Sequence, residues 1–157
     1  MEVTLTTHEM AIAAWVGVRR NVESRRRGLR DRHGYKGDGW QVHIEGAGGE
    51  LAVAKALDMY WDGSVNTFKR ADLPGIQVRT ALTHKNLIVR PADAPDEVFV
   101  LVTGQMPDYQ VHGWLRGSDA MQPQFLSGVG GRPPAYFVPP SKLNPIETLP
   151  RSSQEAA

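Results

Sequence analysis

The sequence predicts an α/β domain in which helices flank a central mixed sheet of about four to five strands. Two helical stretches open the chain, and strand-like runs separated by proline and glycine follow them. The 157 residues are the usual size of one domain. A hydrophobic fraction of 41% and a charged fraction of 22% are typical of a globular protein. One hydrophobic core should therefore suffice.

The first helix is predicted to begin near Thr6. Thr6 and Glu9 have the spacing of a capping box, and an apolar helical pattern starts at Met10. The pattern continues into an arginine-rich stretch and ends before Gly34, Gly37 and Gly39, where helix is costly. We expect this helix to be an N-terminal extension of the α/β core.

The second helix is predicted over about 41–60, where apolar residues recur at helical spacing. Gly46, Gly48 and Gly49 lie within it, and each costs about 1 kcal/mol relative to alanine. We expect a compensating reason, such as the close approach of another backbone. His43 and Glu50 share one stripe of this helix, and small residues beside them would let the stripe lie against a sheet. Glu50 should then point toward the sheet.

The strand-like runs lie at 75–82, 87–90, 98–103 and 109–115, with a weaker one at 65–69. The run at 98–103 lacks alternation, which is typical of a central strand covered on both faces, whereas the run at 109–115 alternates as a one-sided strand does. The proline-rich residues from Pro133 onward predict extended segments.

These elements suggest four regions along the chain. They are a basic helix and glycine-rich loop (1–39), an α/β core (40–132), a proline-rich extended segment packed on the core (133–149) and a disordered tail (150–157).

Composition excludes several classes of function. The chain has no cysteine, so disulfides, thiolate zinc sites and cysteine nucleophiles are excluded. No apolar run approaches the roughly 18 residues that a membrane span needs, and no secretory signal opens the chain. We therefore expect a cytoplasmic protein without a membrane partner.

Positive charge is concentrated in residues 19–36, which carry a net charge of +6 and leave −5 for the rest of the chain. Lysine and arginine gain affinity for nucleic acid by releasing condensed counterions, so this segment predicts a phosphate-facing patch; a solvated helix face is the alternative. The candidate nucleic-acid contacts are Arg19, Arg20, Arg25, Arg26, Arg27, Arg30, His43 and Lys85.

Tryptophan and tyrosine side chains near this segment could stack on exposed bases, which would favour single strands, ends or junctions; core packing is the alternative. They are Trp40, Trp61, Trp114, Tyr35 and Tyr60.

A group of polar residues surrounds the strand at 75–82. Asp72 precedes a Pro-Gly turn, and Gln77 and Arg79 follow on one face of the strand because residues i and i+2 point the same way. Ile76 and Val78 would face the core. Taken singly, Asp72 is a good turn former, and Gln77 and Arg79 could form the wet face of an edge strand. Taken together, they predict a polar site beside the turn.

This arrangement resembles the PD-(D/E)XK, or restriction-endonuclease-like, nuclease superfamily, and small phage-type proteins within it. The signature of that superfamily is an acidic residue followed by a strand bearing Glu-x-Lys, with a further Glu on a preceding helix. Here those positions are Asp72, Gln77-Val78-Arg79 and Glu50, and the resemblance covers about residues 40–120. It implies a restriction-endonuclease-like fold and Mg²⁺- or Mn²⁺-dependent hydrolysis of phosphodiester bonds in DNA.

The resemblance also implies roles for individual residues. Asp72 would be the central metal ligand, Glu50 a second, and the Gln77 side-chain oxygen and the Val78 carbonyl further ones, while Arg79 occupies the lysine position. Gln77 is neutral and Arg79 cannot give up a proton, so metal affinity should fall. Arg79 can still clamp a phosphate. Lys69 or Lys85 could replace the missing lysine.

The sequence leaves a second function open. A nuclease-like fold that has lost catalysis could bind DNA or a protein, and Gln77 and Arg79 favour this alternative. Protein partners and a homo-oligomer are both compatible with the sequence.

Overall fold

The computed structural model describes residues 1–28, 39–65, 71–82, 84–128 and 133–150. Within those ranges the chain forms two long helices, one helical turn, a four-stranded sheet and a three-stranded sheet. The helices are α1 (Thr7–Arg26), α2 (Gly39–Leu57) and α3 (Gly117–Ala120). The strands are β1 (Glu2–Thr4), β2 (Ile76–Ala81), β3 (Leu87–Val89), β4 (Val98–Gln105), β5 (Asp108–Arg116), β6 (Leu126–Ser127) and β7 (Ala135–Val138).

The central sheet is mixed, as the sequence predicts, with strand order β1-β5-β4-β2. Strand β2 runs parallel to β4, and the other two pairings are antiparallel. Strand β4 is covered on both faces, since the four residues 99–102 are fully buried. The α/β class with a mixed sheet is therefore confirmed, and β2, the strand that carries the predicted site, lies at one edge.

The two faces of the central sheet have different covers. On one face, here called the helix face, Val78 and Val100 pack with Ala52 and Val53 of α2. On the other, here called the far face, the side chains of β4 pack with those of β3 and β7. The run at 87–90 thus belongs to a second, antiparallel sheet of order β3-β7-β6, and that sheet, not another long helix, covers the far face.

Helix α1 begins where the sequence predicts. The Glu9 carboxylate accepts the N–H of Thr6 at 2.6 Å, and the Thr6 hydroxyl accepts the N–H of Glu9 at 3.3 Å, which completes the capping box. Strand β1 before it was not predicted. It has only three residues and pairs with β5, and a strand of that length shows no periodicity that a sequence could reveal.

The glycines of α2 have different surroundings. A Cβ at Gly48 would overlap the Tyr109 side chain, and a Cβ at Gly49 would overlap the Thr80 hydroxyl, so these two glycines let the helix approach the sheet. The neighbours are side chains, not the backbone that we expected. Gly46 faces open space among the described residues. Close backbone approach occurs instead at Gly17 of α1, which lies against the backbone of Ile44.

Strand β5 contributes to both faces. Its register with β4 shifts between Leu101 and Val102, which marks an irregularity of the β-bulge kind. Tyr109 and Val111 lie in the core of the helix face, whereas Leu115 lies in that of the far face. The expectation of a one-sided strand is therefore wrong, because an extra residue shifts the alternation.

The remaining predictions concern the ends and loops. The proline-rich segment includes β7, whose Val138 is buried in the far-face core. The predicted strand at 65–69 and the tail at 150–157 lie almost wholly outside the described residues. No helix within the described ranges has the length and hydropathy of a membrane span.

Candidate functional site

Asp72 lies at the free edge of the central sheet. It precedes a tight turn in which Leu73 and Ile76 exchange backbone hydrogen bonds of 3.1 and 3.0 Å. Oδ2 of Asp72 accepts the N–H of Val78 at 2.8 Å. Because β2 is an edge strand, this bond holds the carboxylate at the rim of the sheet, next to Val78.

Glu50 is buried and bound by two neighbours. Arg20 of α1 forms a two-pronged ion pair with it, donating from Nη1 to Oε1 and from Nη2 to Oε2, the latter at 2.9 Å. Trp61 Nε1 donates to Oε2 at 3.1 Å, and Arg20 Nε donates to the carbonyl of Ser64 at 2.9 Å. Glu50 is therefore held between α1 and the segment after α2.

The expectation that Glu50 points toward the sheet is corrected by these contacts. The positions of α2 that touch the sheet include Gly48 and Gly49, together with Ala52 and Val53. A helix surface can approach a sheet closely only where its side chains are small. Glu50 lies to one side of that stripe and faces Arg20.

Glu50 and Asp72 are electrostatic neighbours. Burial, and then the charge of Glu50, raise the pKa of Asp72 to about 6, although the Val78 N–H and the charges of Arg79 and Arg20 act in the opposite direction. Asp72 thus holds its proton more tightly than an ordinary aspartate. Strongly perturbed pKa values cluster at functional sites, and structural ion-pair networks also produce them.

Gln77 and Arg79 lie on the far face. Gln77 Nε2 donates to Glu97 Oε1 at 3.2 Å. Arg79 Nη2 donates to Asp93 Oδ2 at 3.0 Å, and its guanidinium lies 5.1 Å from the centre of the Phe99 ring.

The predicted convergence of Asp72, Gln77 and Arg79 is therefore seen only in part. Side chains alternate along β2 and Val78 packs toward α2, so Gln77 and Arg79 face away from that helix. The charge of Arg79 still reaches Asp72 at the rim, where it lowers the pKa of that carboxyl. The Gln77 amide is engaged by Glu97 across the sheet from Glu50.

The metal implied by the resemblance can be tested against these donors. In the described part of the chain, no three histidine or acidic side chains gather as a metal-binding cluster. Mg²⁺, however, often binds proteins through one or two carboxylates and completes its shell with water and substrate phosphate. The pair of Glu50 and Asp72 fits this preference, and a cation would relieve their mutual repulsion. Gln77 does not join the pair.

The basic residues of α1 divide between its two sides. Arg20 points inward to Glu50 and is not free to meet a phosphate. The others described are exposed: Arg19 lies over the Trp15 ring, Arg25 lies over the Trp40 ring, and Arg26 and Arg27 are near Glu23, at 3.2 and 3.9 Å. Arg30 lies outside the described residues, as does Lys69.

His43 and Lys85 have separate locations. His43 is half-buried, and burial followed by the charge of Arg20 lowers its pKa, so it is a neutral neighbour of the Arg20 and Glu50 pair. Lys85 is exposed beyond the C-terminal end of β2. Its charge, after burial and the N-terminal ammonium, contributes to lowering the pKa of His112. Lys85 therefore lies near β5, away from the turn that carries Asp72.

Two partners of Glu50 were missed by the sequence-based prediction. Arg20 was grouped with the nucleic-acid contacts because of its charge. Its spacing from Ala13, Val16 and Gly17, all buried on α1, places it on the inward side of the helix, and that pattern could have revealed its role. No local pattern marks Trp61, which follows the end of α2.

Comparison with protein-family models, with curated proteins and with solved structures gave no match to this chain.

Proposed function

We propose that this chain hydrolyses phosphodiester bonds in DNA at the buried pair of Glu50 and Asp72, with a divalent cation as cofactor. The observation that carries the proposal is the pairing itself. Two acidic side chains from separate elements are near enough for the charge of the buried Glu50 to raise the pKa of Asp72 beyond the effect of burial, and this repulsion opposes folding when both are charged. Proteins retain destabilising arrangements of this kind where activity requires them.

The residues around the pair suit a metal-dependent hydrolase. Glu50 and Asp72 supply carboxylate oxygens, the ligand type that Mg²⁺ prefers. Bound there, the cation would polarise a phosphate and lower the pKa of an attacking water. Asp72 would release its proton as the cation binds. The charges of Arg20 and Arg79 both act on Asp72; because each guanidinium is already paired with an acid, their effect on an anionic substrate would be long-range electrostatics and not direct contact.

A second candidate is a DNA-binding module without cleavage. The observation that favours it is that both oxygens of Glu50 already accept hydrogen bonds from Arg20 and Trp61. These three hydrogen bonds use most of the acceptor sites of Glu50 and leave one for a cation. If Glu50 binds no cation and only its hydrogen-bond donors, Asp72 would be the only carboxylate ligand of the site.

Cleavage of plasmid and branched DNA in Mg²⁺ or Mn²⁺ tests the first candidate. The wild type should cleave, and Asp72→Asn should lower the rate by about 100-fold or more because a metal ligand is lost. Glu97→Gln is the matched control, since Glu97 is an acid beside β2 on the far face, and we expect its rate to remain that of wild type.

Equal inertness of wild type and Asp72→Asn, with both proteins folded, would end the hydrolase proposal. Metal-independent DNA binding that falls steeply with salt would then support the second candidate. The combined replacement of Arg25, Arg26 and Arg27 by alanine should abolish such binding.

A further inference from the structure

Helix α1 has apolar residues on two opposite sides. Its inward side, with Ala13, Val16 and Gly17, packs in the protein interior. Its outward side exposes Ile12 (56%) and Trp15 (58%) together with Val18 and Val22. A surface helix ordinarily has polar residues on its outward side. The packing of the described residues therefore does not explain the second apolar side.

The outward residues follow a regular spacing. The exposed positions His8, Ala11, Trp15, Val18, Val22 and Arg25, here called the outward stripe, are alternately three and four residues apart. This is the spacing of a and d positions in a heptad repeat, which presents one continuous seam to a second helix. The stripe is about 26 Å long at 1.5 Å per residue.

The outward stripe is bordered by positive charge. Arg19, Arg25 and Arg26 are exposed in or beside it. The acid nearest to the stripe, Glu23, is 3.2 Å from Arg26. Two copies of this chain joined through the stripe would bring arginines together, which opposes self-association.

The apolar residues of the outward stripe favour a protein partner over a nucleic acid. Valine and isoleucine side chains offer nothing to a phosphate backbone, whereas they suit the apolar seam of a helix. Trp15 is a residue type that often anchors protein interfaces, and its ring is stacked under the Arg19 guanidinium at 5.1 Å.

We infer that the outward stripe of α1 docks an amphipathic helix of a partner protein, one with apolar residues at heptad spacing and Asp or Glu at the flanking positions. The apolar seam would cover Trp15, Val18 and Val22, and the acids would meet Arg19 and would compete with Glu23 for Arg26. The stripe lies on the side of α1 opposite Arg20, so docking is independent of the Glu50 and Asp72 site.

A designed peptide provides the probe. It has three heptads with leucine at a and d and glutamate at the flanking positions, and it carries a fluorescent label; a second peptide has lysine in place of each glutamate. Fluorescence anisotropy with the full chain should show binding of the acidic peptide and at least about tenfold weaker binding of the basic one. Trp15→Ala should weaken binding of the acidic peptide by about 30-fold, which is the loss of affinity expected when an interface anchor is removed.

Two control variants test whether binding depends on the outward stripe itself. Val18→Gln is a second stripe variant and should also weaken binding, whereas Tyr60→Ala removes an exposed aromatic outside α1 and should leave binding unchanged. Trp15→Ala should retain the DNA cleavage rate of wild type, so that failure of docking is distinguishable from failure of the hydrolase proposal.

Three outcomes would overturn the inference. The first is no binding of the acidic peptide, or equal binding of both peptides. The second is dimerisation in sedimentation analysis that Trp15→Ala abolishes, which would assign the stripe to a second copy. The third is that Trp15→Ala abolishes DNA binding while the acidic peptide does not compete with DNA. This result would assign the stripe to nucleic acid.

Discussion

The two faces of β2 contain similar chemical groups in different surroundings. On the helix face, Glu50 is paired with Arg20 in the interior, and their side chains are 8% and 18% exposed. On the far face, Arg79 is paired with Asp93 nearer to water, and their side chains are 31% and 20% exposed. Asp72 lies at the rim between the two pairs and is affected by both arginines.

The two ion pairs differ in their effect on stability because one is more buried than the other. A partly exposed ion pair contributes about 0–1 kcal/mol, because water screens it and two side chains lose freedom. Removing one partner of a buried pair costs about 3–5 kcal/mol, because the remaining charge stays in the interior without compensation. The same edge strand therefore has one face where a polar substitution is tolerated and one where it is not.

The largest effect should follow from Glu50→Ala. This change leaves the Arg20 guanidinium and the Trp61 N–H without their acceptor, and we expect the free energy of unfolding to fall by about 3 kcal/mol. Asp93→Ala is the matched far-face variant, because it removes the acid of the Arg79 pair, and it should cost about 1 kcal/mol. Urea unfolding followed by circular dichroism measures both. Equal losses in the two variants would show that the faces do not differ.

The next effect is a pH-dependent stabilisation by Asp72→Asn. The pKa of Asp72 is about 6 in the folded state, above its ordinary value of 3.8, so the folded state binds the proton more tightly than the unfolded state does. Stability therefore falls as pH rises through the interval between these values, by about 3 kcal/mol for a shift of this size. Asparagine carries no charge and can still accept a hydrogen bond from the Val78 N–H. The variant therefore avoids the fall in stability as pH rises.

The measurement is the difference in unfolding free energy between Asp72→Asn and wild type across pH. The variant should be the more stable protein at about pH 8 and should match wild type at about pH 3, with the difference developing between about pH 4 and pH 6. A variant less stable than wild type at the higher pH would contradict the burial of a charged Asp72.

Much of the fold was predictable because its signals are local. The cap at Thr6 and the continuous apolar run of β4 each depend on neighbouring residues. The second sheet was not predictable, because β3 and β7 pair across about 50 residues of sequence and each is too short to show a period.

The candidate site shows the same limit. Asp72 and Glu50 were selected through the resemblance to a nuclease motif, and in the structure the charge of Glu50 raises the pKa of Asp72. Which face of β2 the helix covers could not be inferred, since Gln77 and Arg79 are half-buried on one face and Thr80 is half-buried on the other. The alternation of side chains along β2 shows which residues share a face, but it does not show which face α2 covers.

The smallest effect, and the one that tests the rim, is expected from Arg79→Gln. Loss of the Asp93 pair and of the contact with Phe99 should cost about 1 kcal/mol. Because the charge of Arg79 lowers the pKa of Asp72, its removal should raise that pKa further, whereas Arg79→Lys, which keeps the charge, should change it less. Carboxyl NMR of Asp72 through a pH titration measures both variants. If Asp72 titrates in Arg79→Gln as it does in wild type, the far face has no electrostatic influence on the acidic pair, and Arg79 cannot assist a phosphate bound there.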